Sequence, residues 1–215
     1  GLGARGPGRF VPPGPPRLLS LPKLSDSLAG RMEVIDLWPF TQGELAGHDD
    51  TFLDAAFRQE LPAIRSGLDR RELIERALAG GYPPVRERPA PRRRAWLTNY
   101  VRAVVDRDLA ALAALERLDQ IPRIVSLLAA RTGGLINVSE VARDAGIPVR
   151  TLDNYLTWLE RVFLVHRLPG WSSNRTTRAR RAPKIHLADS GVLGTYLDVD
   201  PGAFGGSDVG PLFEC

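Results

Sequence analysis

The sequence predicts a mainly α-helical chain with a small β content, and three observations carry that expectation. Apolar residues recur at three- and four-residue spacing through the middle of the chain. A helix, a glycine turn and a second helix follow one another over residues 137–160, and two short runs, 162–168 and 184–188, read as strands on either side of an arginine-rich loop. A length of 215 residues suits one large domain or two small ones, and 43% hydrophobic with 25% charged residues supplies a core. That balance excludes a wholly disordered chain, and no apolar run approaches the roughly 20 residues of a bilayer crossing, so no membrane partner is expected. The single thiol, Cys215, excludes an internal disulfide and a multi-cysteine zinc site. With no secretory signal pattern, the expected location is cytoplasmic.

Residues 1–16 are too rich in Gly and Pro for a helix or a central strand and are expected to form an irregular leader. Apolar spacing returns from Leu18 to Leu28. Met32 to Leu37 alternates like a strand that ends at Trp38 and Pro39. Thr41 is placed to cap a helix, with Glu44 three residues on completing a capping box. Phe52, Leu53, Ala56 and Phe57 share one helical face, Pro62 interrupts it, and Leu73, Ile74, Ala77 and Leu78 form another, so short helices are expected up to the stop at Gly80-Gly-Tyr-Pro-Pro84. After a solvated Arg/Pro stretch at 86–94, Trp96, Tyr100, Val104, Leu112 and Leu115 predict a long core helix from about Arg92 to Glu116. A further helix is expected at Ile121 to Arg131, closed by Gly133 and Gly134.

The most specific stretch runs from Asn137 to Glu160. Asn137 or Ser139 can cap a short helix with Val141 and Ala145 inward, Gly146 supplies the turn, Ile147 plugs the corner, and a second helix starts near Pro148 with Leu152, Tyr155, Leu156 and Leu159 as its buried stripe. This is a helix-turn-helix pattern. A preceding helix and the two strands extend it to a winged helix, in which the second helix and the hairpin can both approach nucleic acid. Opposite the stripe lie Arg150, Asp153, Asn154 and Thr157, and the loop between the strands carries Arg175, Arg178, Arg180 and Arg181 with no acidic residue. Over 150–184 there are eight basic residues against two acidic ones. A guanidinium donates two parallel hydrogen bonds to phosphate and its binding releases counterions, so Arg150, Asn154, Thr157, Arg175, Arg178, Arg180 and Arg181 are the candidate nucleic-acid-binding residues. The competing reading is a protein-interaction module, because such folds often play that part and Asp153 on the outward face repels phosphate. Of Trp96, Trp158 and Trp171, the first lies on a core stripe and the second beside one, so Trp171, in the loop, is the candidate to stack on a base.

With these residues in place, the chain resembles a widespread prokaryotic family of predicted ATP-binding proteins, in which an AAA-type P-loop core precedes a C-terminal domain of unknown function. The likeness lies in Leu24-Ser-Asp-Ser-Leu-Ala-Gly-Arg31 followed by residues 33–45, in Gly80 to Pro84, in Tyr100 through Arg107-Asp108-Leu109, and in 137–168 leading to Lys184-Ile-His-Leu-Ala-Asp-Ser-Gly191. The resemblance implies a leader at 1–16, a remnant of the ATPase core at 17–45, a helical linker at 46–118, a winged helix at 119–188, and the start of a truncated restriction-endonuclease-like α/β domain at 189–215. It also implies a fragment of a longer protein, which suits a chain that opens on Gly1 and whose only methionine is Met32.

The chain departs from that family at its start, where Val11-Pro-Pro-Gly-Pro-Pro16 replaces a Thr-Gly-Ser-like turn, and no G-x-x-x-x-G-K-[ST] occurs anywhere. Neither lysine follows a glycine-rich loop that could cradle phosphates. ATP and magnesium are therefore expected only for the intact family member, no cofactor is expected for this chain, and Arg31 is the sole residue that the resemblance would set near a phosphate or a neighbouring subunit. Asp189 with Glu214 makes an incomplete carboxylate set for a catalytic metal. His48, His166 and His186 have no partner at a zinc-ligand spacing, so neither a metal site nor a catalytic residue is assigned. The expected function is that of an interaction module without ATPase activity of its own, whose partner is DNA, another protein or the missing ATPase core. A stand-alone winged-helix regulator is the alternative.

Overall fold

The computed structural model describes residues 35–49, 51–61, 67–109, 118–174, 176, 181–199 and 209–215. The expected leader, Arg31, Arg175, Arg178 and Arg180 lie outside the described residues. Within them the chain is mainly helical with a small two-stranded antiparallel sheet. No described helix is long and apolar enough to cross a membrane.

The strand expected up to Leu37 is absent over Ile35–Leu37, which have no regular structure. Helix α1, Gln42–Ala46, begins in the expected capping box: Thr41 Oγ1 accepts the Glu44 N–H at 3.1 Å, and Glu44 Oε2 accepts the Thr41 N–H at 2.8 Å. Helix α2, Phe52–Arg58, forms as its spacing predicts but buries nothing: Phe52, Leu53 and Phe57 are all exposed. Helix α3, Arg70–Ala79, starts in a second capping box, Asp69 with Glu72, and turns Ile74 and Ala77 into the core.

Helix α4, Ala90–Ala103, buries Leu97 and Val101, then widens into a π-helical turn at Val104–Leu109 that still buries Val104 and Val105. The helix expected from Arg92 to Glu116 is thus present without a break as far as Leu109, its last turns π-helical, and 110–117 lie outside the described residues. The buried stripe is Leu97 and Val101 of α4, continued by Val104 of the π-helical turn. Trp96 and Tyr100 stack beside it at 5.2 Å, with Tyr82 leaning on Tyr100 at 4.7 Å. Burial between these rings pushes the Tyr82 hydroxyl far above the ordinary phenol range.

Helix α5, Ile121–Ala129, tolerates Pro122 in its first turn and buries Ile121, Ile124, Val125, Leu128 and Ala129. Helix α6, Val138–Ala145, is capped by Asn137, whose Oδ1 accepts the Glu140 N–H at 3.2 Å, and it closes at Gly146 with φ +71°. Helix α7, Val149–Arg161, buries Leu152, Tyr155, Leu156 and Leu159 as the 3.6-residue period requires. Strands β1, Val165–Leu168, and β2, Lys184–Leu187, pair with His166 opposite His186.

A third segment joins this hairpin. Leu135 bridges to Lys184, the Gly133 N–H donates to the Ile185 carbonyl at 2.8 Å, and the Ile185 N–H donates to Gly134 at 3.0 Å. The connection between α5 and α6 therefore runs along the outer edge of β2. Helix α8, Ser190–Tyr196, packs on α3, α4 and α5, and helix α9, Gly210–Glu214, closes over α3 and α8. One apolar cluster extends without a break from Ala77 through Leu128, Leu156 and Ile185 to Leu212.

Candidate nucleic-acid interface

Because the apolar stripe of α7 faces the core, the opposite side is turned to solvent, and Arg150, Asp153, Asn154 and Thr157 are all exposed there. The guanidinium of Arg150 and the amide of Asn154 have no ion-pair or hydrogen-bond partner among the described residues. Thr157 is different: its hydroxyl donates to the Asp153 carbonyl at 2.9 Å, so it is spent on its own helix. Arg143, on the neighbouring helix α6, is exposed as well.

Several of the basic side chains that raise the local charge are committed elsewhere. Arg167 binds Glu160, whose other oxygen accepts the Arg167 backbone N–H at 3.1 Å, and this carboxylate raises the guanidinium above its ordinary value. Arg161 lies 4.6 Å over the Trp158 ring. Lys184 Nζ is 3.4 Å from Glu214. Arg131 joins α5 to α6, donating to the Leu127 carbonyl at 3.0 Å and to Asp144 at 2.5 Å, with Glu140 at 3.5 Å. Arg150 and Arg181 are the described candidate arginines with no acidic partner among the described residues. Arg181 is exposed and donates through Nη1 to the Trp171 carbonyl at 2.8 Å across the base of the loop.

The two carboxylates weighed as a metal pair are engaged in other ways. Asp189 is 4% exposed, caps α8 by accepting the Val192 N–H at 2.9 Å, and accepts the Gly81 N–H at 2.6 Å. Burial raises its pKa above the usual carboxylate value, and the backbone donors oppose that rise. Glu214 is exposed beside Lys184 and lies over Gly133, where a Cβ would come within 2.5 Å of its Oε2. No group of three or more His, Cys, Asp or Glu side chains among the described residues could hold a metal ion. His186 is lowered from its ordinary value by burial, which outweighs the opposing effect of Glu214, with Lys184 and His166 adding to the lowering. The Cys215 thiol is turned inward although the residue as a whole is exposed. It donates to the Leu187 carbonyl at 2.8 Å, and burial pushes it up to about 12.

Sequence reasoning did not anticipate three links between elements: the edge-to-face contacts of Trp38 with Phe163 at 5.2 Å and His166 at 5.7 Å, the Arg131 clamp, and the bond from Gly81 to Asp189. The only local signals were Gly80 beside Gly81 and the Asp189-Ser190-Gly191 run.

Fold and surface together define a mainly helical module in which a small hairpin stands beside a helix with free polar side chains. The chain belongs to DUF8612, a domain of unknown function, whose profile matches residues 70–203. It is similar to the uncharacterized protein Rv2008c of Mycobacterium tuberculosis and the uncharacterized protein Mb2031c of Mycobacterium bovis, at 30% identity over 177 residues with each. Those alignments cover 82% of this chain and 35% of each relative, so the chain spans about a third of the length of the curated relatives it matches. No solved structure matches the chain.

Proposed function

We propose that this chain is the winged-helix interaction module of a longer AAA-type ATP-binding protein, that it grips the backbone of duplex DNA, and that it hydrolyses no ATP itself. The observation that carries the reading is the order helix, edge segment, helix, turn, helix and hairpin, with Arg150 and Asn154 on the open face of α7 and Arg181 at the base of the hairpin loop. A helix in that position enters a major groove, and a hairpin loop beside it reaches the flanking phosphates. The greater length of the mycobacterial relatives supports a larger parent protein.

Fluorescence anisotropy with a labelled duplex tests the module. Affinity is expected to fall steeply with added salt, and Arg150→Ala with Asn154→Ala is expected to weaken it. Salt-independent binding, or none at low salt, would sink the proposal. Calorimetry should find no micromolar ATP affinity. The rival reading, a protein-interaction module, draws on the commitment of Arg167 and Arg131 to acidic partners and on the exposed carboxylate of Asp153 between Arg150 and Asn154.

A further inference from the structure

The chain has four tryptophans, and three of them have partners. Trp38 meets Phe163 and His166 edge-on, Trp96 stacks on Tyr100, and Trp158 lies under Arg161. Trp171 has neither a ring nor a cation against its indole among the described residues, and it is 78% exposed. Its backbone is nonetheless held. The Arg181 guanidinium donates to the Trp171 carbonyl at 2.8 Å, and the Arg181 stem runs so close to Gly170 that a Cβ there would lie 3.1 Å from it. Glycine at 170 makes room for that stem, and the arginine ties the two sides of the loop together through the main chain.

An anchored main chain carrying a free indole loses little further freedom when a flat partner arrives, which is the condition for an efficient stacking platform. The chemistry around it selects the partner. Between Glu160 and Asp189 the sequence has no acidic residue, and Arg181 sets a cation on the Trp171 main chain. A purely apolar contact gains nothing from a loop free of acidic residues, whereas an aromatic ring carried on a basic loop suits a base attached to its own phosphate.

We infer that Trp171 stacks on an unpaired nucleobase, so that the module prefers DNA with an open or unpaired step to a fully paired duplex. This rests on the DNA-binding reading above and adds a substrate class to it. A paired duplex hides its base faces in the stack, so the indole gains a partner only where that stack is interrupted.

The experiment compares the full chain on two labelled probes of about two helical turns, one fully paired and one with an unpaired central step. The wild type should bind the interrupted probe about tenfold more tightly, the scale of one base stacked on an aromatic ring. Trp171→Ala should bring the two affinities together by weakening only the interrupted probe, and Trp171→Phe should retain most of the difference. Arg150→Ala should weaken both probes alike. Equal wild-type affinity for the two probes, or an equal loss on both in Trp171→Ala, overturns the stacking role and leaves duplex binding standing. If the wild type binds neither probe at low salt, the DNA-binding reading falls and the stacking role with it. Circular dichroism of the exposed-site variants confirms that they fold.

Discussion

The carboxylate of Asp189 accepts the backbone N–H of Gly81 at 2.6 Å across 108 residues of sequence, while its other oxygen caps helix α8. Beside this bond the Ser190 hydroxyl donates to the Ala77 carbonyl at 2.7 Å, and the Gly81 carbonyl accepts the Phe40 N–H at 3.0 Å. Three distant segments therefore meet around Gly81. The arrangement fixes the end of helix α3 against the residues that follow strand β2 of the hairpin.

Asp189→Asn puts an amide NH2 against a backbone donor and leaves at least one buried N–H without an acceptor. A loss of about 2–3 kcal/mol in unfolding free energy is expected, the cost of an unmet buried hydrogen bond to a charged group. Urea denaturation monitored at the tryptophans checks it, and a change within experimental scatter would show that the link is not stabilising.

Two glycines separate conformational strain from steric exclusion. Gly146 has φ +71° with open space around it, so Gly146→Ala should cost about 1 kcal/mol, the ordinary left-handed penalty. Gly80 has φ +67° and ψ −174°, a region that essentially only glycine enters, and a Cβ there would lie 2.5 Å from Asp189 Oδ1. Gly80→Ala should cost at least about 3 kcal/mol, because strain and the displaced carboxylate add. With Asp189→Asn already present it should cost less, since both changes act on the same link.

His186 sets an acid limb of stability. Burial, Lys184 and His166 hold its folded pKa below the ordinary 6.5, so beneath that value the unfolded chain takes up a proton that the folded chain resists. Stability should therefore fall as pH drops from 6.5 toward the lowered value and stop falling once the folded form protonates as well. Thermal unfolding at a series of pH values should show this slope, and His186→Asn should flatten it. An unchanged slope in the variant would assign the effect elsewhere.

Arginines that look alike in the sequence should behave differently. Arg131→Ala breaks a half-exposed ion pair and a bond to the Leu127 carbonyl and should cost about 1 kcal/mol in stability. Arg167→Ala should lower stability by a similar small amount and leave the salt slope of DNA binding unchanged, because Glu160 already neutralises that guanidinium. Arg150→Ala should do the reverse, keeping stability while reducing the salt slope by about one. Equal slopes in the Arg150 and Arg167 variants would remove the basis for assigning the interface to α7.

Where the chemistry is local, the sequence was sufficient by itself. The Thr41 and Glu44 capping box, the Asn137 cap, the Gly146 turn and the stripe Leu152, Tyr155, Leu156, Leu159 depend on residues within a turn or two of each other, and backbone sterics with helical period determine them. The outward placement of Arg150 and Asn154 follows from that same period. Tertiary structure decided which groups are already satisfied. Glu160 takes Arg167, Asp144 takes Arg131, Gly81 takes Asp189, and Leu135 lies along Lys184, none of which a spacing rule reveals, because each pairing depends on how separate elements dock. Burial then turned Asp189 from a possible metal ligand into a structural acceptor: a carboxylate withdrawn from water is stable only with donors around it, and the folded backbone provides them. The exposed face of α2 shows the converse, since period alone predicted an amphipathic helix but could not say whether any surface in the chain would cover it.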